Sequence, residues 1–111
     1  MEITLSLVGE IPVYHLSGRL DVATSPILEE RLKPLIAGEG KKLVFDCSGL
    51  AYVSSAGLRV FLSTQRHLLA KGGGIAFAAL SQPVRDLFQL AGLEQIFLIE
   101  STPAEAAARL E

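Results

Sequence analysis

Tryptophan is absent from the 111 residues, and cysteine and methionine occur once each. A lone Cys47 forms no internal disulfide, so this chain depends on a packed core, and the thiol reads as a small buried hydrophobe. Histidine is nearly as scarce, with only His15 and His67. One thiol and two scattered imidazoles are too few for a thiolate/imidazole zinc site, and no spacing supports a Cys–His dyad. Charge of one sign is missing as well: the formal net charge is −2. No lysine/arginine stripe marks a nucleic-acid footprint. The local pairs Glu29-Glu30 and Lys41-Lys42 read as solvated faces. No apolar run approaches the ~20 residues of a membrane span. The start, Met1-Glu2-Ile3-Thr4, lacks the basic region and apolar core of a secretion signal, so a cytoplasmic location is expected. Repeats and low-complexity tracts are absent too. Gly72-Gly73-Gly74 is no phosphate loop, because it follows a helical pattern and no Lys-Ser/Thr comes after it. Its reading is a helix stop.

What remains is a globular composition, half hydrophobic and one fifth charged, long enough for one domain with a real core. Ile3–Val8 alternates polar and apolar residues as a half-buried strand does. A turn over Gly9-Glu10-Ile11-Pro12 leads to a second strand, Val13–Leu16, antiparallel to the first. Ser25–Ala37 reads as a helix with Leu28, Leu32, Leu35 and Ile36 on one face, Pro26 in its first turn, and a kink or early end expected near Pro34. Lys42–Asp46 is a short apolar strand. A helix from Ser55 to Lys71 is expected to bury Leu58, Phe61, Leu62, Leu68 and Leu69. Ile75–Ala79 is the next strand. Gln82–Ala91 is a helix with Val84, Leu87, Phe88 and Ala91 along one side, capped by Ser81. Ile96–Ile99 is the last strand, and Thr102-Pro103-Ala104-Glu105 opens a final helix to Leu110 with a capping box. The order ββαβαβαβα predicts an α/β fold, one mixed, mostly parallel sheet of about five strands with about four packed helices.

One segment stands apart: Ser54-Ser55-Ala56-Gly57-Leu58 at the start of a helix. A helix N-terminus presents unpaired N–H groups and the positive end of the macrodipole. A phosphate attached there meets a favourable local field and adds about −1.5 to −2 charges to the surface. The plainer role for Ser54 or Ser55 is an N-cap, worth about 1 kcal/mol, and the two roles are compatible.

Three stretches resemble the signature of STAS domains, and above all of the small anti-sigma factor antagonists. Leu16-Ser17-Gly18-Arg19-Leu20-Asp21 is similar to the family's Leu-x-Gly-x-Leu-Asp opening. Leu43-Val44-Phe45-Asp46-Cys47-Ser48-Gly49-Leu50 is similar to its hydrophobic strand ending in Asp-x-Ser-x-Leu. Tyr52-Val53-Ser54-Ser55-Ala56-Gly57-Leu58-Arg59 resembles its phosphorylation loop. Gly73-Gly74, Pro83-Val84-Arg85-Asp86-Leu87-Phe88 and Ala91-Gly92-Leu93 match features further on, so the likeness covers nearly the whole chain. It implies a binding switch and not an enzyme. The unphosphorylated antagonist binds an anti-sigma factor that is often also a serine kinase, the sigma factor is released, phosphorylation of a loop serine ends the interaction, and a serine phosphatase resets it. Counted back from Gly57-Leu58, that serine falls on Ser55. Many members carry Asp immediately before it; here Ser54 stands there, which leaves two adjacent hydroxyls with Ser55 the expected acceptor and Ser54 the fallback. Asp21 and Asp46 match acidic positions beside the loop, where they are expected to line a partner-binding surface with Ser54, Ala56, Gly57 and Leu58. ATP and Mg²⁺ belong to the partner, so no cofactor is expected on this chain.

Two other readings compete. STAS domains also serve as non-catalytic interaction subunits of transporter ATPases or larger signalling complexes, without phosphoryl switching. A small enzyme using Asp21 or Asp46 as acid/base is the third, and the sequence pairs neither carboxylate with a nucleophile or metal. The even spread of charge and the lack of an obvious spare apolar face point to a monomer.

Overall fold

Two periodicities organise the chain. Alternating and continuous apolar runs make strands, and 3.6-residue apolar spacing makes the helices between them. A computed structural model describes all of residues 1–111. Its elements are β1 (Glu2–Val8), β2 (Ile11–Leu20), α1 (Ser25–Ala37), β3 (Lys42–Val53), α2 (Ser55–Ala70), β4 (Gly74–Ala78), α3 (Gln82–Leu90), β5 (Leu98–Glu100) and α4 (Pro103–Leu110), with a 3₁₀ turn at Leu93–Gln95. The strands form one sheet in chain order, β1-β2-β3-β4-β5. β1 runs antiparallel to β2 across a tight turn, and the remaining neighbours are parallel. The expected order and the mixed sheet are therefore the ones observed.

Each parallel step is a strand–helix–strand crossover to the next neighbour. Crossovers of one hand all moving in one direction stack their helices on one face. α1, α2 and α3 accordingly share one side, where they bury the main core of Leu16, Leu20, Leu28, Leu32, Leu43, Phe45, Phe61, Leu68, Ile75, Phe77 and Phe88. The five phenylalanines of the chain form one connected group at the centre, with Phe77 touching Phe45, Phe61, Phe88 and Phe97 at ring-centroid distances of 5.5, 4.9, 5.3 and 4.8 Å. Such tilted and edge-on pairs are favourable beyond their buried area. α4 covers part of the opposite face with Ala106 and Ala107 against Ile11, Val13, Val44, Ala76 and Ala78. Small residues on both sides let this short helix lie close to the sheet. No helix is long and apolar enough to cross a membrane.

Several boundaries differ from the sequence reading. β2 and β3 run on to Leu20 and Val53 instead of ending at Leu16 and Asp46. α1 passes through Pro34 to Ala37 without an early end. β5 begins at Leu98, because the 3₁₀ turn occupies the preceding residues. Ser81 holds the N-cap position of α3, but its hydroxyl donates to Leu50 O at 2.9 Å and makes no cap bond. On α2 the buried residues are Gly57, Val60, Phe61, Thr64 and Leu68. Leu62 and Leu69, expected inside, are 37% and 57% exposed. They lie on the side of the helix turned away from the sheet. Ala91, expected on the inner side of α3, is exposed as well.

Candidate functional site

The loop serines owe their position to the extension of β2 and β3. Leu20 pairs with Val53 at the ends of the two parallel strands, and the Ser54 N–H then donates to Leu20 O at 2.8 Å. This zips the start of α2 to the residue before Asp21. Asp21 and Ser54 thus leave the carboxyl ends of neighbouring strands side by side, the edge at which open α/β sheets present their binding loops.

At Ser54 the backbone is still extended, with φ −87° and ψ 173°. Its carbonyl accepts from Leu58 N at 3.0 Å and its side chain accepts from Gly57 N at 3.4 Å. Ser54 is therefore the N-cap, and its oxygen is committed to the helix. Ser55 is the first helical residue and is exposed. Its hydroxyl makes no protein hydrogen bond, and no acidic side chain occupies the first turn of α2.

The neighbouring loop is held by Asp21 itself. Asp21 Oδ1 accepts from the N–H groups of Ala23 and Thr24 at 3.0 and 3.1 Å. Asp21 N donates back to Thr24 Oγ1 at 2.9 Å, and the Thr24 hydroxyl donates to Arg19 O at 2.8 Å. These bonds, the Thr24 N–H foremost, hold the Asp21 carboxyl below the usual carboxylate range. Asp21 also faces the Arg19 guanidinium at 3.9 Å. Arg19 in turn lies over the Tyr52 ring, 4.2 Å from its centroid, a cation–π contact between residues paired in the strand register. Arg19 and Tyr52 were not singled out from the sequence, although their paired positions just ahead of Asp21 and Ser54 make them part of this rim. Val22, 78% exposed at the tip of the loop, adds an apolar point.

Not every expected site residue reaches this surface. Ala56 is half-buried beside Val22 and Pro26 in the cleft between α1 and α2. Gly57 is buried, because a side chain there would meet Leu20 Cγ at 2.7 Å and Val53 Cγ1 at 2.9 Å. It lets α2 approach the sheet and offers no side chain to a partner. Leu58 packs against the main core. Asp46 is the clearest difference: it lies back along β3, on the face that carries α4, and the structure does not bring it to Asp21 or Ser55. Its Oδ2 sits 2.6 Å from His15 Nδ1, and His15 Nε2 sits 2.7 Å from Ser6 Oγ. With Asp46 ionised, the carboxylate accepts from Nδ1–H, which leaves Nε2 to pair with the Ser6 hydroxyl. The chain ties β1, β2 and β3 together. Desolvation is the largest influence on Asp46 and pushes its carboxyl up, but the hydrogen bonds from Ser48 and His15 outweigh it and leave the group below its ordinary value. The two carboxylates thus occupy separate environments. No group of three His, Cys, Asp or Glu side chains is placed to hold a metal, and burial pushes the Cys47 thiol far up, so it is inert.

The sequence profile of the STAS domain matches residues 2–106. The chain belongs to the STAS domain family. Within it, relatives named as anti-sigma factor antagonists are similar to this chain. The anti-sigma-B factor antagonist of Bacillus subtilis is 33% identical over 87 residues, covering 78% of this chain and 79% of that protein. Among solved structures, the anti-sigma factor antagonist SpoIIAA in its unphosphorylated form superposes with a TM-score of 0.83 at 25% identity, over 97% of this chain and 95% of that one. The Bacillus cell fate determinant SpoIIAA in the phosphorylated form gives 0.75 at 25% identity, over 97% and 98%.

Proposed function

We propose that this STAS protein is an anti-sigma factor antagonist whose binding is switched by phosphorylation of Ser55. It binds an anti-sigma factor with serine kinase activity through the Asp21 loop and the start of α2, so that the sigma factor is released. The observation that carries the reading is the division of labour between the two serines. Ser54 is spent as the N-cap, while Ser55 stands exposed with a free hydroxyl, beside a loop that Asp21 and Thr24 hold rigid. Relatives named as anti-sigma factor antagonists, and a SpoIIAA structure in the phosphorylated form, support the same reading.

The switch is electrostatic and local. Phosphorylation adds about −1.5 to −2 charges at the first helical residue, where the helix dipole tolerates them, so the fold persists. The added charge and bulk act on a docked partner instead. A loss of about 3 kcal/mol in binding lowers affinity roughly 150-fold, enough for two functional states. ATP and Mg²⁺ are supplied by the kinase, and a serine phosphatase restores the hydroxyl.

The test is the intact mass of the protein after incubation with ATP, Mg²⁺ and each candidate anti-sigma serine kinase of its own genome, beside Ser54→Ala and Ser55→Ala. A single phosphate that is lost only in Ser55→Ala is expected, with the phosphorylated protein and Ser55→Asp both failing to bind the kinase that added it. Wild type left unmodified and unbound by every active kinase would sink the proposal and favour a constitutive interaction subunit.

A further inference from the structure

The sequence showed no spare apolar face, yet α2 has one. Ser55, Arg59, Leu62, Arg66 and Leu69 succeed one another at steps of four, three, four and three residues, which on an α-helix is one continuous stripe. All five are exposed. The stripe repeats every seven residues: Arg59 returns as Arg66 and Leu62 as Leu69. Neither arginine has an ion-pair partner, since the ion pairs of the chain involve Arg19, Lys33, Arg85, Arg109 and His15. Two aliphatic side chains one heptad apart, flanked by two unpaired guanidiniums one heptad apart, are the pattern a helix shows to another helix packed alongside it. Next to the stripe, between α1 and α2, runs a cleft of about 730 Å³ whose walls include Leu32, Ile36 and Val60 and whose rim includes both arginines.

We infer that this stripe is a docking track for an acidic amphipathic helix of the partner protein, laid along α2 from Ser55 towards Leu69. This rests on the reading of Ser55 as the switch and extends it. The occupant's chemistry follows from charge: carboxylates at heptad spacing meet Arg59 and Arg66, and aliphatic side chains between them cover Leu62 and Leu69. A second copy of this chain is the poorer occupant, because its own stripe carries no carboxylate to meet Arg59 and Arg66. The track begins at Ser55, so the first turn of the docked helix lies over the acceptor hydroxyl. A phosphate on Ser55 repels the same carboxylates that the arginines attract, and Arg59, four residues on, faces the phosphate as its nearest cation on the helix. One modification thereby acts on the whole track.

The experiment uses the kinase identified by phosphorylation of Ser55, with its dissociation constant measured by titration calorimetry for wild type, Arg66→Glu, Leu69→Gln and Ser55→Asp. Arg66 and Leu69 lie three to four turns from the acceptor, roughly 16–21 Å along the helix, and both are exposed, so thermal unfolding of these variants should match wild type. Arg66→Glu and Leu69→Gln should each weaken binding by at least tenfold, and the wild-type affinity should fall with added salt. If the kinase binds wild type and loses Ser55→Asp but binds Arg66→Glu and Leu69→Gln within twofold, the track is wrong while the switch stands. If no kinase binds wild type at all, the switch itself has failed. A dimer in sedimentation that Leu69→Gln dissociates would overturn the proposal in favour of a second copy.

Discussion

His15 Nδ1 lies 2.6 Å from Asp46 Oδ2, a hydrogen bond between adjacent parallel strands on the part of the sheet that α4 leaves open. The Asp46 carboxylate also accepts the Ser48 N–H at 3.0 Å, and its side chain is only 12% exposed. Asp46→Ala leaves both donors without their charged acceptor and should cost about 2 kcal/mol at pH 7. The pH dependence has a definite sign. The folded protein holds Asp46, and likewise Asp21, below the unfolded value of about 3.9. Their contribution to stability is therefore complete above about pH 4 and is lost as pH falls through the depressed folded values. Urea unfolding followed from pH 7 down to pH 2.5 should show stability falling below about pH 4, and less steeply in Asp46→Ala. An identical acid limb in the two proteins would remove Asp46 from the account.

The two loop serines separate on stability before any kinase is added. Ser54→Ala removes the acceptor of the Gly57 N–H and should lower stability by about 1 kcal/mol. Ser55→Ala touches no bond of the fold and should stay within about 0.5 kcal/mol of wild type. In a protein of this size the first change corresponds to a melting shift of about 4 °C and the second to half that or less. Equal shifts in a thermal scan would contradict the assignment of Ser54 as cap.

Lys71 is the cation that α1 lacks. No basic residue lies in the last turn of α1, whose final carbonyls point into the gap before β3. The Lys71 ammonium, arriving from the end of α2, bonds Ile36 O, and also Gly38 O at 2.9 Å, Gly40 O at 3.1 Å and Leu35 O at 3.3 Å. The backbone there is shaped for delivery: Gly72 adopts φ +84°, and the bonds Gly73 N to Leu68 O and Gly72 N to Leu69 O close a Schellman turn. Lys71→Met should cost about 2 kcal/mol, with Lys71→Arg restoring little, since a planar guanidinium does not fit a nest made for a compact ammonium. Hydrogen exchange should quicken selectively at Gly38–Gly40 in both variants.

These contacts mark where the sequence could be read and where it could not. The helices and the central apolar strands were legible because burial there follows a simple period. The carboxyl-terminal half of β3 was not. The register slips twice against β2, between His15 and Ser17 and between Gly18 and Arg19, and each time β3 carries the extra residue. Its buried residues then fall at Cys47, Leu50 and Val53, every third position instead of every second, which resembles neither a strand nor a helix. The start of α2 at Ser55 was legible in the sequence, but the capping role of Ser54 and the Arg19–Tyr52 contact depend on how that irregular strand ends. Asp46 was expected beside the loop because its sequence neighbourhood matched; its true partners, His15 and Ser6, come from two other strands that no spacing rule connects. The outward turn of Leu62 and Leu69 was missed because α2 carries more leucine than its inner face has room to bury.

Gly57 tests how tightly the site is built. Alanine is favoured over glycine inside a helix by about 1 kcal/mol, so Gly57→Ala would stabilise a free helix. Here the new methyl would lie 2.7 and 2.8 Å from Leu20 Cγ and Cδ2 and 2.9 Å from Val53 Cγ1. Leu20 is fully buried and Val53 nearly so, so neither moves aside without disturbing the core. Overpacking of this kind costs about 1–3 kcal/mol, enough to cancel the helical gain and leave a net loss of about 1 kcal/mol. Shortening the obstructing side chain should release part of it: Leu20→Ala alone costs about 2–5 kcal/mol through the cavity it opens, but Leu20→Ala combined with Gly57→Ala should be less destabilised than the sum of the two. Urea unfolding of the four proteins measures this coupling directly. Strict additivity would mean that α2 is not seated on Leu20. Because the same contact sets the height of Ser55 above the end of β3, on the proposed switch Gly57→Ala should also slow phosphorylation of Ser55 by the partner kinase, and the double variant should recover part of that rate.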